Sequence, residues 1–358
     1  MRIWIRLRGI SDSNRKRRLG MGYGNLQNGM DGFITCNIYE RNNMRQSRGR
    51  LKDKVLIWGT GLDYGRFLNQ LKALELQEVL EVVGVTDSSG FRERVTKVDG
   101  WHFYSVSEIK EIPWDYCVVM SEKYFWDIYS HLAELGISSD RIIPCRVFAI
   151  PYFEWVQYIE IRNLKMSIIS NNCWGGILSR TLGLEHRSPF KNLAVSASGL
   201  IRMLDEGLEG FMSVEPKFVR WEIDPHSKVR FPVMSVKGVE ILFNHDTKIE
   251  EALAKWRRRK EKIDYHNLYM MIYTEDIDVV RAFLKLDIER KICFVPDNII
   301  TEELKDESTV FPICWRNNQD EFWLPVNESA KLSGLNYKIL PMILGKKEKR
   351  LEIVQTDQ

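Results

Sequence analysis

The short apolar run Lys54–Trp58 (KVLIW) breaks into Gly59-Thr60-Gly61-Leu62-Asp63-Tyr64-Gly65, after which Phe67, Leu68, Leu71 and Leu74 fall at helical spacing. That order reads as strand, glycine turn, helix. A second strand, Leu80–Thr86 (LEVVGVT), ends at Asp87, 22 residues beyond Gly65. Tyr116–Met120 (YCVVM) follows as a further buried strand. A helix then carries Phe125, Ile128, Leu132 and Leu135 and stops at Gly136, before the short strand Arg141–Ile143. Alternating strands and helices joined by right-handed crossovers give a parallel sheet. In such units glycines let the backbone approach a pyrophosphate at a helix start, and a carboxylate closing the second strand accepts from a ribose hydroxyl. Gly59, Gly61, Gly65 and Asp87 are therefore the expected nucleotide-binding residues. The spacing G-x-G-x-x-x-G is one residue longer than the dinucleotide fingerprint. It favours the fold over NAD(P), and a docking domain with no ligand stays open as the alternative.

A chain of 358 residues has room for two domains. Its net charge of +3 conceals a split. Of 52 basic and 49 acidic residues, eleven and three fall within residues 1–50, leaving 41 and 46 for the rest. The body is thus mildly acidic, which disfavours a nucleic-acid surface. The Gly-, Asn- and Arg-rich head reads as a disordered basic extension, or as sequence upstream of a natural start at Met44. Residues 346–358 read as a charged tail. The six cysteines (Cys36, Cys117, Cys145, Cys173, Cys293, Cys314) form no CxxC pair, and no metal site or disulfide framework is expected. No apolar run reaches the roughly 20 residues needed to cross a bilayer. A cytoplasmic protein without an integral membrane segment is the expectation.

The first domain is expected over residues 51–148 and a second over 151–345. In the latter, Met166–Ser170 (MSIIS) leads into Asn171-Asn172-Cys173-Trp174-Gly175-Gly176, and Ile177, Leu178 and Leu182 continue as a helix. Val239–Phe243 (VEILF) delivers Asn244-His245-Asp246 to another strand end, and Thr247 with Glu250 forms a capping-box pair. Leu268–Tyr273, Lys291–Val295 and Val310–Cys314 read as further strands. The predicted fold is α/β, with two Rossmann-like parallel-sheet domains and a cleft between them.

The blocks IISNNCWGGILSRTLGLEHRSP and FPVMSVKGVEILFNHDTKIEEALAKWRRRKEKIDYHNLYMMI resemble a bacterial family of exopolysaccharide-biosynthesis proteins whose reaction is not established. The resemblance spans roughly residues 165–296. The first domain is similar to the Rossmann-like domains that precede catalytic domains in polysaccharide-biosynthesis proteins. The resemblance implies a place in exopolysaccharide or capsule formation and marks Ser188 as a substrate contact. Two departures from the family pattern are Phe190-Lys191-Asn192 after Pro189, and Asp246 where an aromatic is usual.

Cys173, at a strand end and before two glycines, is a candidate nucleophile, its thiolate stabilised by the helix start. His245 is the candidate base and Asn172 a further catalytic residue. The Gly175 and Gly176 amides would receive an oxyanion or phosphate. Asn171 would recognise sugar hydroxyls, Trp174 would stack on a sugar, and Arg180 would reach a phosphate. Each has a plainer reading: a packed cysteine, Asx turns, a core tryptophan, a surface ion pair. Arg258 and Arg259, about 18 Å of helix rise beyond Asp246, read as structural or interface residues. The function expected is a transferase using a nucleotide-sugar or an acyl donor such as acyl-CoA, acting on a small-molecule or glycan substrate. The alternative is a non-catalytic nucleotide-sugar-binding or scaffolding protein of the same pathway.

Overall fold

The computed structural model describes residues 4–6, 52–88, 95–313, 337–348 and 352–354. Most of the basic head and of the charged tail, with Cys36 and Cys314, lies outside them. Trp4–Arg6 pairs antiparallel with Glu352–Val354. The chain forms two compact units that meet in sequence at Cys145 and Arg146.

The first unit is built on a four-stranded parallel sheet. Its strands are β1 (Asp53–Trp58), β2 (Leu80–Thr86), β5 (Tyr116–Val119) and β6 (Ile142–Pro144), in the spatial order β2-β1-β5-β6. The short strands β3 (Lys97–Val98) and β4 (Trp101–His102) form a separate hairpin. Helix α1 (Leu62–Leu76) turns Tyr64, Phe67, Leu71 and Leu74 inward, as its spacing requires. Helix α2 (Phe125–Glu134) buries Phe125, Ile128 and Leu132. They join Leu56, Trp58 and Val119 in the core beside the sheet.

The second unit begins with α3 (Trp155–Leu164), β7 (Ser167–Ser170) and α4 (Trp174–Thr181). Its parallel sheet has the order β14-β13-β12-β7, with β12 at Leu268–Tyr273, β13 at Arg290–Pro296 and β14 at Val310–Ile313. Pro312 sits in β14 at the sheet's edge, where a missing amide proton disturbs no ladder. The remaining strands differ from the expectation of parallel sheets throughout. β8 (Ala194–Val195), β9 (Lys217–Ile223), β10 (Arg230–Val236) and β11 (Val239–Leu242) form an antiparallel sheet in the order β9-β10-β11-β8. The reason is local. Only Lys237-Gly238 separates β10 from β11, with φ values of 47° and 81°, and a two-residue turn with both φ positive closes a hairpin. The run VEILF therefore pairs antiparallel with β10, and its other edge takes β8 antiparallel as well.

Four helices follow or flank these strands: α5 (Ala197–Asp205), α6 (Leu208–Met212), α7 (Ile249–Lys260) and α8 (Ile277–Lys285); α9 (Ile339–Ile343) lies near the end of the unit. One core joins both sheets of this unit, bringing Met270 and Ile272 from β12 together with Met234, Ile241, Phe243 and Trp256. Helix α7 starts after Lys248 without a side-chain cap, so the expected Thr247–Glu250 capping box does not form. Among the described residues no helix is long and apolar enough to cross a membrane.

Candidate functional site

In the first unit the glycine turn sits where its sequence places it, but the Gly59 amide and the Asp87 carboxylate are already engaged. Gly59 has a φ of 104°, its amide donates to the Thr86 carbonyl at 2.8 Å, and a Cβ there would meet the Met120 carbonyl oxygen at 3.3 Å. A glycine is needed at this position for its conformation. Gly61 and Gly65 face open space, so packing within the fold demands no glycine at either. Asp87, expected to receive a ribose, instead accepts from the Thr60 amide at 2.9 Å and the Thr60 hydroxyl at 2.7 Å. Asp63, in the first turn of α1, accepts from the Glu122 amide at 2.9 Å. A pyrophosphate approaching this helix start would meet two carboxylates.

The second unit concentrates its chemistry at the carboxyl end of β7. Ser170, buried, donates to the Asn172 carbonyl at 2.7 Å and accepts from the Gly175 amide at 3.0 Å. The Gly175 amide is therefore not free for an oxyanion. Asn171 is buried, and its side chain donates to the Tyr273 carbonyl and accepts from the Tyr273 amide, both at 2.9 Å. It stitches β7 to β12 rather than facing a ligand. Trp174 is 0% exposed, stacked at 6.2 Å on Tyr269 and tilted against Phe294 at 6.0 Å, which rules out a sugar platform. Ser188 is buried too, its hydroxyl accepting from the Phe190 amide at 3.1 Å in a tight turn of its own.

Asn172, Cys173 and His245 come together. The Asn172 Oδ1 accepts from the Trp174 amide at 2.9 Å and caps the start of α4, while its Nδ2 is buried with no hydrogen-bond partner. Cys173, half-buried, places Sγ 3.3 Å from Nε2 of His245, 72 residues away in sequence and exposed. Burial pushes the Cys173 thiol up from its ordinary range, opposed in part by a hydrogen bond from the Asn244 side-chain amide. The helix start therefore does not leave a standing thiolate, contrary to the expectation for a cysteine before two glycines. Asn244, whose Oδ1 is buried without a partner, was not singled out in the sequence. Its only signal there is a polar residue beside His245 at a strand end. Asp246 is buried and ion-paired with Lys255, so it does not orient His245.

A second set of residues borders the same turn. A Cβ at Gly176 would lie 3.3 Å from Lys191 Cγ and 2.5 Å from Asn192 Oδ1, so the loop carrying Lys191 packs directly on the start of α4. Arg259 Nη1 donates to the Lys191 carbonyl at 3.1 Å. Arg180 is exposed and, among the described residues, forms no ion pair. Helix rise alone would carry Arg259 away from this region. Helical side chains lean toward the helix N-terminus, however, and the two long ones at Lys255 and Arg259 share a face and reach back over several ångströms.

Residues 145–335, more than half of the chain, match the family described as a domain of unknown function, DUF1919. The chain belongs to the DUF1919 family. Its first unit, over residues 51–143, matches the domain described as C2185-like, N-terminal. An uncharacterised protein of Haemophilus influenzae is 28% identical over 138 residues, covering 38% of this chain and 64% of that protein. The chain therefore spans less than two thirds of the length of that relative.

Within the DUF1919 domain, the described residues contain no group of three or more His, Cys, Asp or Glu side chains able to hold a metal ion. The cations around Lys191 have a consequence for stability. Burial, then the charges of Lys191, Arg259 and Lys262, depress His186 to about 3, with Glu185 opposing them weakly. The unfolded chain takes up this proton near pH 6.5, which the folded state refuses until about pH 3. Between those limits the unfolded state binds more protons, so stability falls as the pH falls, by about 1 kcal/mol per unit. Urea unfolding of His186→Gln at pH 7 and pH 5 is expected to show a flatter dependence than the parent. An unchanged slope would show that His186 is not held neutral.

Proposed function

We propose that the DUF1919 domain is a cysteine-dependent acyltransferase that modifies an exopolysaccharide or capsule precursor, with Cys173 as nucleophile and His245 as its base. The observation that carries this reading is the 3.3 Å approach of Sγ to Nε2 across 72 residues of sequence. A thiol whose proton is held by burial needs a base at hydrogen-bond distance to react, and the imidazole stands at that distance. The pathway comes from the family resemblance carried by the NNCWGG and AxxKWxRR blocks. Of the two expected donors, a thiol nucleophile suits an acyl thioester. A nucleotide-sugar would place its pyrophosphate against Asp63 and Asp87 in the first unit.

The reaction balances in two halves. As Sγ attacks the acyl carbon, His245 takes the thiol proton, then returns it to the departing donor thiol, leaving the acyl group on Cys173 as a thioester. An acceptor hydroxyl then attacks that thioester while His245 takes its proton, which passes to the Cys173 sulfur as the product ester leaves. Asn172 Nδ2, buried without a partner one residue before Cys173, is the donor assigned to the oxyanion in both halves.

Intact-mass measurement of the full chain incubated with acetyl-, succinyl- and longer acyl-coenzyme A tests this. A hydroxylamine-labile adduct of the acyl mass is expected, absent in Cys173→Ala. If no thioester acylates the protein, or the adduct persists in Cys173→Ala, the acyltransferase reading fails.

A further inference from the structure

Lys191 and Arg259 meet beside the first turn of α4, where Lys191 packs on Gly176 and its carbonyl accepts from Arg259. Arg180 follows in the last turn of the same helix, its charge felt by Lys191, and among the described residues none of the three has a carboxylate within ion-pair distance. The nearby acids are already engaged: Asp246 holds Lys255, and Glu185 is bound by Lys262 and Arg187. Elsewhere in this unit Arg202, Arg220, Arg257 and Arg281 have acidic partners, while Arg230 is stacked on the Trp221 ring. Like charges held close without counter-ions raise the energy of the folded state unless a ligand supplies the missing charge. Burial, then Arg259 and Arg180, push Lys191 down, so Lys191 feels both neighbouring cations; Arg259 is pushed down by burial while the nearby Asp246 carboxylate opposes that shift. The arrangement also carries planar guanidinium forks and an ammonium, the groups suited to phosphate oxygens.

We propose that Arg180, Lys191 and Arg259 form a phosphate-binding subsite that holds a phosphorylated substrate with its reacting carbon near Cys173. The link to Cys173 is the contact of Lys191 with Gly176, three residues along the same turn. This deepens the acyltransferase reading and rests on it for the substrate's role, whereas the binding of phosphate stands by itself. The phosphate belongs either to the thioester donor, as in the coenzyme A moiety, or to the acceptor.

The test is calorimetric titration of the full chain with inorganic pyrophosphate. Arg180→Gln and Lys191→Gln are each expected to weaken binding about tenfold or more, and Arg202→Gln, whose guanidinium is paired with Glu206, to leave it unchanged. Arg180 is exposed, so its variant tests the site without endangering the fold. Pyrophosphate binding that is undetectable in the parent, or equal in the parent and both site variants, overturns the proposal. Cys173→Ala is expected to bind pyrophosphate as the parent does. A protein that binds pyrophosphate through these residues yet accepts no acyl group would keep this site and lose the acyltransferase reading. Acylation by acyl-coenzyme A compared with acyl-pantetheine then separates the sources. Lys191→Gln slows only the former if the phosphate is on the donor, and slows neither acylation, but only the transfer step, if it is on the acceptor.

Discussion

In His245→Ala, acylation of Cys173 by a thioester donor is expected to slow by about 10²–10⁴-fold, the usual contribution of a positioned base. The residual rate should climb about tenfold per pH unit through the neutral range. Both expectations follow from the environment of the thiol. Burial holds Cys173 above the range of a free cysteine, and the Asn244 hydrogen bond offsets that only in part. Thiolate is therefore scarce near neutral pH, and the proposed reaction in the parent depends on His245, 3.3 Å from Sγ, taking the proton as the new bond forms. Without the imidazole only the rare thiolate reacts, and its population follows pH directly. Quenched-flow intact mass at several pH values reads both features. Equal rates in parent and variant would remove His245 from proton transfer.

Trp174→Ala is expected to destabilise the protein by about 3–5 kcal/mol, the range for deleting a buried indole. The residue is fully enclosed, parallel to Tyr269 and tilted against Phe294, so its removal leaves a cavity between α4 and the parallel sheet. A shift of the urea midpoint with an unchanged slope is the expected form. Trp126→Ala supplies the contrast. Trp126 is 64% exposed, and its loss is expected to move the midpoint little. A loss below about 1 kcal/mol at Trp174 would place its ring outside the core.

Much of the architecture was legible from apolar runs. Leu80–Thr86 and Leu268–Tyr273 are strands with the bounds their composition suggests, and the helix faces of α1 and α2 follow from spacing alone. Cys173 and His245 were legible as a pair because each closes a strand-like run, and strand ends are where α/β folds gather polar groups. What sequence conceals is which partner a polar group has already taken. Asn171, Gly175 and Asp87 read as donors or acceptors facing a ligand, yet each is satisfied by a neighbour distant or close in the chain: Tyr273, Ser170 and Thr60. Strand pairing was concealed in the same way, except where Lys237-Gly238 betrays a hairpin. Strand β9 was missed although Val219, Trp221 and Ile223 alternate along it. Arg259 was set aside by treating a long side chain as if it ended at its Cα.

The amide of Asn171 stands in for a length of backbone. By donating to and accepting from Tyr273, it reproduces the two-point pairing of a strand residue and lets the main chain leave the sheet toward Cys173 with the ladder still closed. Chemical ageing would attack that arrangement. Hydrolysis of this one amide to a carboxylate replaces the donor facing the Tyr273 carbonyl with a negative oxygen, in a buried position. The connection that carries Cys173 to His245 would then be forced apart at its root, so the approach of these two side chains depends on the integrity of Asn171.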